Sequence, residues 1–257
     1  MKLQDFLKKV LFSIIFLGLS LTVFACRNIA QNNQAKDSKI RVLFVGNSLT
    51  YANNLPEIIA NLAKSRKQKF SYKMIAHPNF SLEDHWNKGE VQKALAKEKW
   101  DFVIMQQGPS ASQEGKEVLL EYAKKFAPEI AKAGAKPALY MVWSSAERIR
   151  DFGGVQANYL LAATVVNGLF FPAGEAWLEA WKRDPKIELY SADRFHPSLL
   201  GSYLAALVIY QQLYKESLLG LTRKIRFSVE EGFEIPEKQA KILQEVAAET
   251  NKKYGFN

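Results

Sequence analysis

From Ile40 onward, five short apolar runs are separated by segments of helical spacing. The runs are Ile40–Val45, Phe70–Ala76, Asp101–Gln106, Lys136–Trp143 and Leu169–Pro172. Helical patterns fall between them at Leu55–Ala63, Val91–Glu98, Glu114–Ala133 and, after a Gly153-Gly154 break, Val155–Val166; another, Glu175–Lys182, follows the fifth run. Strands joined by helices cannot pair through tight hairpins. They pair in parallel through right-handed crossovers, and the helices cover both faces of the sheet. The expected fold class is therefore α/β. Asp101–Gln106 is almost continuously apolar, which places it near the centre of that sheet. Two more helices, Ser198–Tyr214 and Pro236–Lys253, are expected in the tail. With 48% apolar residues in 257, the chain can build one sizeable core, and a single domain spanning 39–257 is expected.

The first 38 residues follow other rules. Lys8 and Lys9 precede an apolar run, Val10–Ala25, that ends in Val23-Phe24-Ala25-Cys26. A basic start, a short apolar stretch and a small-residue end are the parts of an export signal. The run is short for a membrane span, which takes roughly 20 apolar residues. Its ending resembles a bacterial lipoprotein signal, which implies cleavage before Cys26 and lipidation of that residue. The protein is then exported and lipid-anchored to the cell-envelope membrane; an uncleaved N-terminal anchor is the alternative, and both place the domain outside the cytoplasmic membrane. Residues 27–38 are polar and without periodicity, as suits a flexible tether. Cys26 is the only cysteine, so no intrachain disulfide can form. The formal charge of +9 falls to +7 without residues 1–26, leaving 32 basic against 25 acidic residues. That charge is spread along helix faces, and no basic and aromatic nucleic-acid module is present, so no nucleic-acid partner is expected.

The first apolar run ends in Gly46-Asn47-Ser48-Leu49-Thr50. A strand closed by glycine and followed by a helix presents Ser48 at the carboxyl end of a strand, where open α/β sheets bind ligands. A serine hydroxyl is a weak nucleophile until a base takes its proton. The chain has three histidines, His77, His85 and His196. His196 lies in Asp193-Arg194-Phe195-His196-Pro197-Ser198, just before a helix for which Pro197 is a natural first residue. Residues three apart meet in a tight turn, so Asp193 can orient His196 while its other nitrogen faces Ser48. A plainer reading makes Ser48 a helix cap and Asp193 and His196 a capping pair for the helix that follows.

Gly46-Asn47-Ser48-Leu49-Thr50 after the first strand, with Asp193-x-x-His196-Pro197 near the end, resembles the first and last blocks of the SGNH (GDSL-like) hydrolases. The two blocks span essentially the whole domain in the right order. The resemblance implies a flavodoxin-like three-layer α/β/α sandwich with a mainly parallel five-stranded sheet. It also implies ester hydrolysis by a Ser48, His196, Asp193 triad with no metal or organic cofactor. The middle blocks depart from the family's pattern. Asn79 stands where the family has a glycine whose N–H serves the oxyanion hole. Ser110 falls by spacing on the family's oxyanion asparagine, and Gln106 or Gln107 is a candidate to reach in instead. Trp143, at the expected end of the fourth strand, is a candidate to stack on a sugar or cover an acyl group. His77 and His85 read as structural or surface residues, and three histidines without clustered carboxylates argue against a zinc site. The substrate class expected is a small-molecule or carbohydrate ester. A non-catalytic binding protein on the same fold is the alternative. A nucleotide binder fits less well, because the first turn lacks a glycine-rich loop.

Overall fold

The computed structural model describes residues 39–227 and 231–255; the expected leader with Cys26 and the tether 27–38 lie outside the described residues. Strands β1 (Ile40–Gly46), β2 (Phe70–Ala76), β3 (Phe102–Met105), β4 (Lys136–Tyr140) and β5 (Leu169–Phe171) form one sheet in the order β2-β1-β3-β4-β5. Every pairing in it is parallel; Val42, for example, lies between Tyr72 and Phe102. β3 is central, and its Val103, Ile104 and Met105 are buried, as its unbroken apolar character requires.

The helices form the two outer layers of an α/β/α sandwich. One comprises α2 (Leu55–Ser65), α7 (Ala173–Arg183), α8 (Leu199–Tyr214) and α9 (Glu237–Lys253). The other comprises α3 (Leu82–Lys88), α4 (Glu90–Lys97), α5 (Gln113–Lys132) and α6 (Phe152–Val165). A short α1 (Ser48–Tyr51) follows β1. Helix α8 is apolar all round and must be covered on every side; its residues from Gly201 to Leu213 are buried. Two of these are glutamines, and α9 satisfies both. Asn251 donates to Gln211 Oε1 at 2.8 Å and accepts from Gln212 Nε2 at 3.1 Å.

Some elements differ from the sequence expectation. Helix α6 begins at Phe152 and runs through Gly153 and Gly154. Its side chains are tied to the loop after β3, with Asn158 donating to Ser110 O and Tyr159 to Gln107 O, and these tertiary contacts override the helix-weakening glycines. β4 stops at Tyr140, one residue before the last cross-sheet bond, Met141 N–H to Phe171 O, and the residues Met141 to Ser144 beyond it are buried. A two-stranded antiparallel pair, β6 (Lys224–Ile225) and β7 (Phe233–Glu234), has no counterpart in the expectation.

For the site, strand order matters most. β2 and β3 leave β1 on opposite sides, so a crevice opens at the carboxyl end of β1. Ser48 lies two residues past that end.

Candidate active site

The corner after β1 is held by a buried polar network. Gln106, fully buried at the end of β3, accepts from Asn47 N–H at 3.0 Å and Thr50 Oγ1 at 2.7 Å, and donates to Asn47 Oδ1 at 3.0 Å. Gly46 is required here, since a Cβ would collide with Thr50 Oγ1 and Gln106 Oε1. Asn47 caps α1, its Oδ1 accepting from Leu49 N–H. The capping role is therefore taken by Asn47, and the Ser48 hydroxyl is free for another partner.

That partner comes from a closed loop 148 residues away. An isolated bridge between Tyr190 and Pro197 shuts the loop, with Ser191 N–H donating to His196 O and Ser198 N–H to Leu189 O, both at 2.8 Å. Arg194 sits inside it in the left-handed region, φ 62°, which bends the chain sharply enough to bring Asp193 back onto its own turn. One carboxylate oxygen of Asp193, Oδ1, accepts from Ser191 Oγ at 2.7 Å, Phe195 N–H at 3.0 Å and His196 N–H at 2.9 Å. The other, Oδ2, lies 2.5 Å from His196 Nδ1. These donors, the imidazole foremost, hold the Asp193 carboxyl far below the ordinary carboxylate range. An ionised carboxylate only accepts, so Nδ1 carries the proton and Nε2 presents a lone pair. His196 Nε2 is 2.8 Å from Ser48 Oγ. The helix that follows is capped by Ser198, which accepts from Gly201 N–H, so neither Asp193 nor His196 is needed as a cap, and Pro197 lies in the bridge rather than the helix.

Residues unmarked by the sequence brace the loop. Asn53, at φ 52° in the turn after α1, donates from Nδ2 to Pro197 O at 2.9 Å, Ser198 O at 3.1 Å and Ser202 Oγ at 2.9 Å. It couples the serine's segment directly to the histidine's. The only sequence signal was an Asn-Asn pair able to take left-handed geometry. Tyr190 donates to Ser144 O at 2.6 Å, and Ala146 N–H to Arg194 O at 2.9 Å. Trp143 corrects an expectation. It is fully buried, stacked on Trp177 at 3.7 Å between ring centroids, and offers no surface to a sugar or acyl group. This ring lies in the core three residues past the end of β4; its indole N–H donates to Phe195 O at 2.9 Å and so steadies the loop from beneath.

The middle blocks are also placed. Asn79 adopts φ 61° in an exposed turn, the geometry in which asparagine best replaces glycine. That turn is bonded to the serine's corner on both sides, with His77 N–H donating to Gly46 O at 3.2 Å and Asn47 Nδ2 to Phe80 O at 3.0 Å. The N–H groups of Ser48 and Asn79 have no acceptor among the described residues. His85, buried, donates from Nε2 to Gly46 O at 2.8 Å, and burial lowers its pKa; it holds the strand end. The three candidate side chains of the third block are already engaged, Gln106 and Gln107 in buried positions and Ser110 half-buried. Gln106 is spent on the corner network. Gln107 donates to Ser110 Oγ at 2.8 Å and Gly115 O at 3.1 Å and accepts from Leu82 N–H. Ser110, at φ 55°, donates to Gly108 O at 2.9 Å. Each of the three amide or hydroxyl groups is thus engaged by backbone or by a neighbouring side chain. Among the described residues, no group of three or more His, Cys, Asp or Glu side chains is assembled to hold a metal ion.

No family model and no curated protein matches the sequence. Solved structures do. A candidate SGNH hydrolase from Slackia heliotrinireducens is 27% identical, with a TM-score of 0.58 over 68% of this chain and 100% of its own. A DUF4886 family protein from Bacteroides uniformis is 21% identical, with a TM-score of 0.63 over 83% of this chain and 95% of its own. An acetylxylan esterase from Geobacillus stearothermophilus is 16% identical, with a TM-score of 0.54 over 70% of this chain and 96% of its own. The architecture is the SGNH hydrolase fold, and its structural neighbours include hydrolases of that type.

Proposed function

We propose that this protein is a serine esterase. The observation that carries the reading is His196 held between Asp193 and Ser48, with Nε2 2.8 Å from the hydroxyl. In this reading His196 takes the Ser48 proton as Oγ attacks an ester carbonyl, and Asp193 stabilises the resulting imidazolium. The tetrahedral oxyanion is met by the free N–H groups of Ser48 and Asn79. His196 then returns the proton to the leaving alcohol, and water, activated by the same base, releases the acid from the acyl-serine. With no side-chain donor from the third block, the oxyanion rests on backbone groups alone; one missing donor typically costs about 100- to 1,000-fold in rate, so modest turnover is expected. Acyl esters of carbohydrate are the substrate class favoured, in keeping with the acetylxylan esterase among the structural neighbours. The same proposal keeps the enzyme exported and held at the cell-envelope membrane by lipid on Cys26, with residues 27–38 as its tether and no nucleic-acid partner.

The test is hydrolysis of p-nitrophenyl acetate by protein lacking residues 1–38. Ser48→Ala should abolish it, and a fluorophosphonate should label Ser48 one to one. Equal rates for wild type and variant would refute the esterase reading. The engaged side chains of the third block favour one other outcome, a non-catalytic binding protein, which predicts a folded chain that the fluorophosphonate fails to label.

A further inference from the structure

Beside the triad lies a pocket of about 250 Å³ whose walls come from the loop after β3, the segment after β4, and Phe195, the residue preceding His196. We infer that this pocket binds the alcohol portion of the ester as a neutral, polyhydroxylated ring, with Arg148 and Asp151 reading its hydroxyl groups. The inference rests on the esterase reading for its chemistry but concerns a different set of residues.

The lining is polar in a particular way. Ser112 and Ser145 contribute hydroxyls, and Arg148 pairs with Asp151 at 2.6 Å, so a cation and an anion stand side by side. Paired, they present little net charge and do not call for an ionic ligand. A guanidinium has five N–H donors and a carboxylate several acceptor sites, so both keep capacity for a diol after pairing. An alkyl chain would strip water from these groups and return nothing. Phe195 adds one apolar face, suited to the C–H side of a sugar ring, and it is fixed by the Trp143 bond and packed edge-on against His196 at 5.2 Å. A ligand on that face is therefore adjacent to the base that must protonate its leaving oxygen. The volume falls below the ~300–1,000 Å³ of sites for larger ligands, which suits a single ring.

The test separates binding from hydrolysis. Ser48→Ala protein, which cannot turn over, is titrated calorimetrically with methyl xyloside mono-acetate. The double variants Ser48→Ala/Arg148→Ala and Ser48→Ala/Asp151→Asn should bind about 10- to 100-fold more weakly, with Arg148→Lys in between because it keeps the charge and loses the planar fork. In protein retaining Ser48, the ratio of kcat/KM for the sugar acetate to that for ethyl acetate should fall by a similar factor. Melting curves for each variant exclude unfolding as the cause. Undetectable binding to Ser48→Ala, or affinities and ratios unchanged by both substitutions, would overturn the inference. Failure of the esterase reading would show separately, as absent p-nitrophenyl acetate hydrolysis, and the calorimetric arm would still decide the pocket.

Discussion

Asp193→Asn isolates the orienting role of the carboxylate from its structural one. Oδ1 accepts three hydrogen bonds within the loop, whereas Oδ2 engages only His196 Nδ1. An asparagine side chain has one acceptor and one donor end, and the three loop donors force its oxygen into the Oδ1 place. Its NH₂ then faces Nδ1, which must give up its proton to accept. The proton moves to Nε2, and the base presents a donor instead of a lone pair to Ser48 Oγ. The change leaves the loop folded and disables the base; in the serine protease template the equivalent change lowers kcat about 10,000-fold, so a loss of roughly 1,000- to 10,000-fold is expected here. Asp193→Ala removes both functions. Because the Asp193 side chain is 50% exposed, water competes for each lost bond. The added cost is then about 1 kcal/mol, or ~2–4 °C in melting temperature for a domain of this size. The assay is steady-state hydrolysis of p-nitrophenyl acetate together with thermal unfolding of both variants. Asp193→Asn retaining activity within tenfold of wild type would refute the reasoning, as would a melting temperature as low as that of Asp193→Ala.

Two further outcomes follow from the geometry. Asn53→Ala should lower kcat by about tenfold or more with little change in KM, since it unties the serine segment from the histidine loop and removes the side-chain donor to Pro197 O, while Ser198 O keeps its bond from Ser202 N–H; steady-state kinetics on a soluble ester check this. Burial lowers the His85 pKa in the folded protein, so its contribution to stability is fully present above the unfolded value of about 6.5 and is lost as pH falls through the depressed native value. In urea denaturation between pH 7.5 and 5, wild type should therefore lose up to ~1.4 kcal/mol per pH unit more than His85→Gln, which keeps a donor for Gly46 O; parallel profiles would count against it.

Much of the architecture was legible in the order of residues because periodicity is local. A strand shows its alternation or its unbroken apolar run within seven residues, and a helix its spacing within a few turns, so β1 to β5 and the long helices could be placed and the parallel sheet followed from their alternation. The corner at Gly46 and the turn holding Asp193 and His196 were legible for the same reason. The failures were of another kind. Trp143 is expected at the carboxyl end of the fourth strand, but β4 ends three residues earlier, and its burial comes from Trp177, which is 34 residues away in the chain. Gln106 and Gln107 stay candidates for the oxyanion hole in the sequence because nothing nearby shows that Asn47 and Thr50, 59 and 56 residues away, already claim the first, or that Leu82 claims the second. Asn53 carries no local sign of its role because its acceptors are 144 to 149 residues distant.

Local patterning by itself thus determined the sheet, the serine's place at the end of its first strand, and the pairing of acid and base in one turn. Tertiary structure alone decided that this turn reaches the serine, that Asn47 and not Ser48 caps the helix, and which polar side chains face inward. The division has one physical cause. Backbone conformation responds to neighbours in the chain, whereas the direction of a buried polar side chain is set by the partners that spare it an unsatisfied group, and those partners are brought near only by the packed fold.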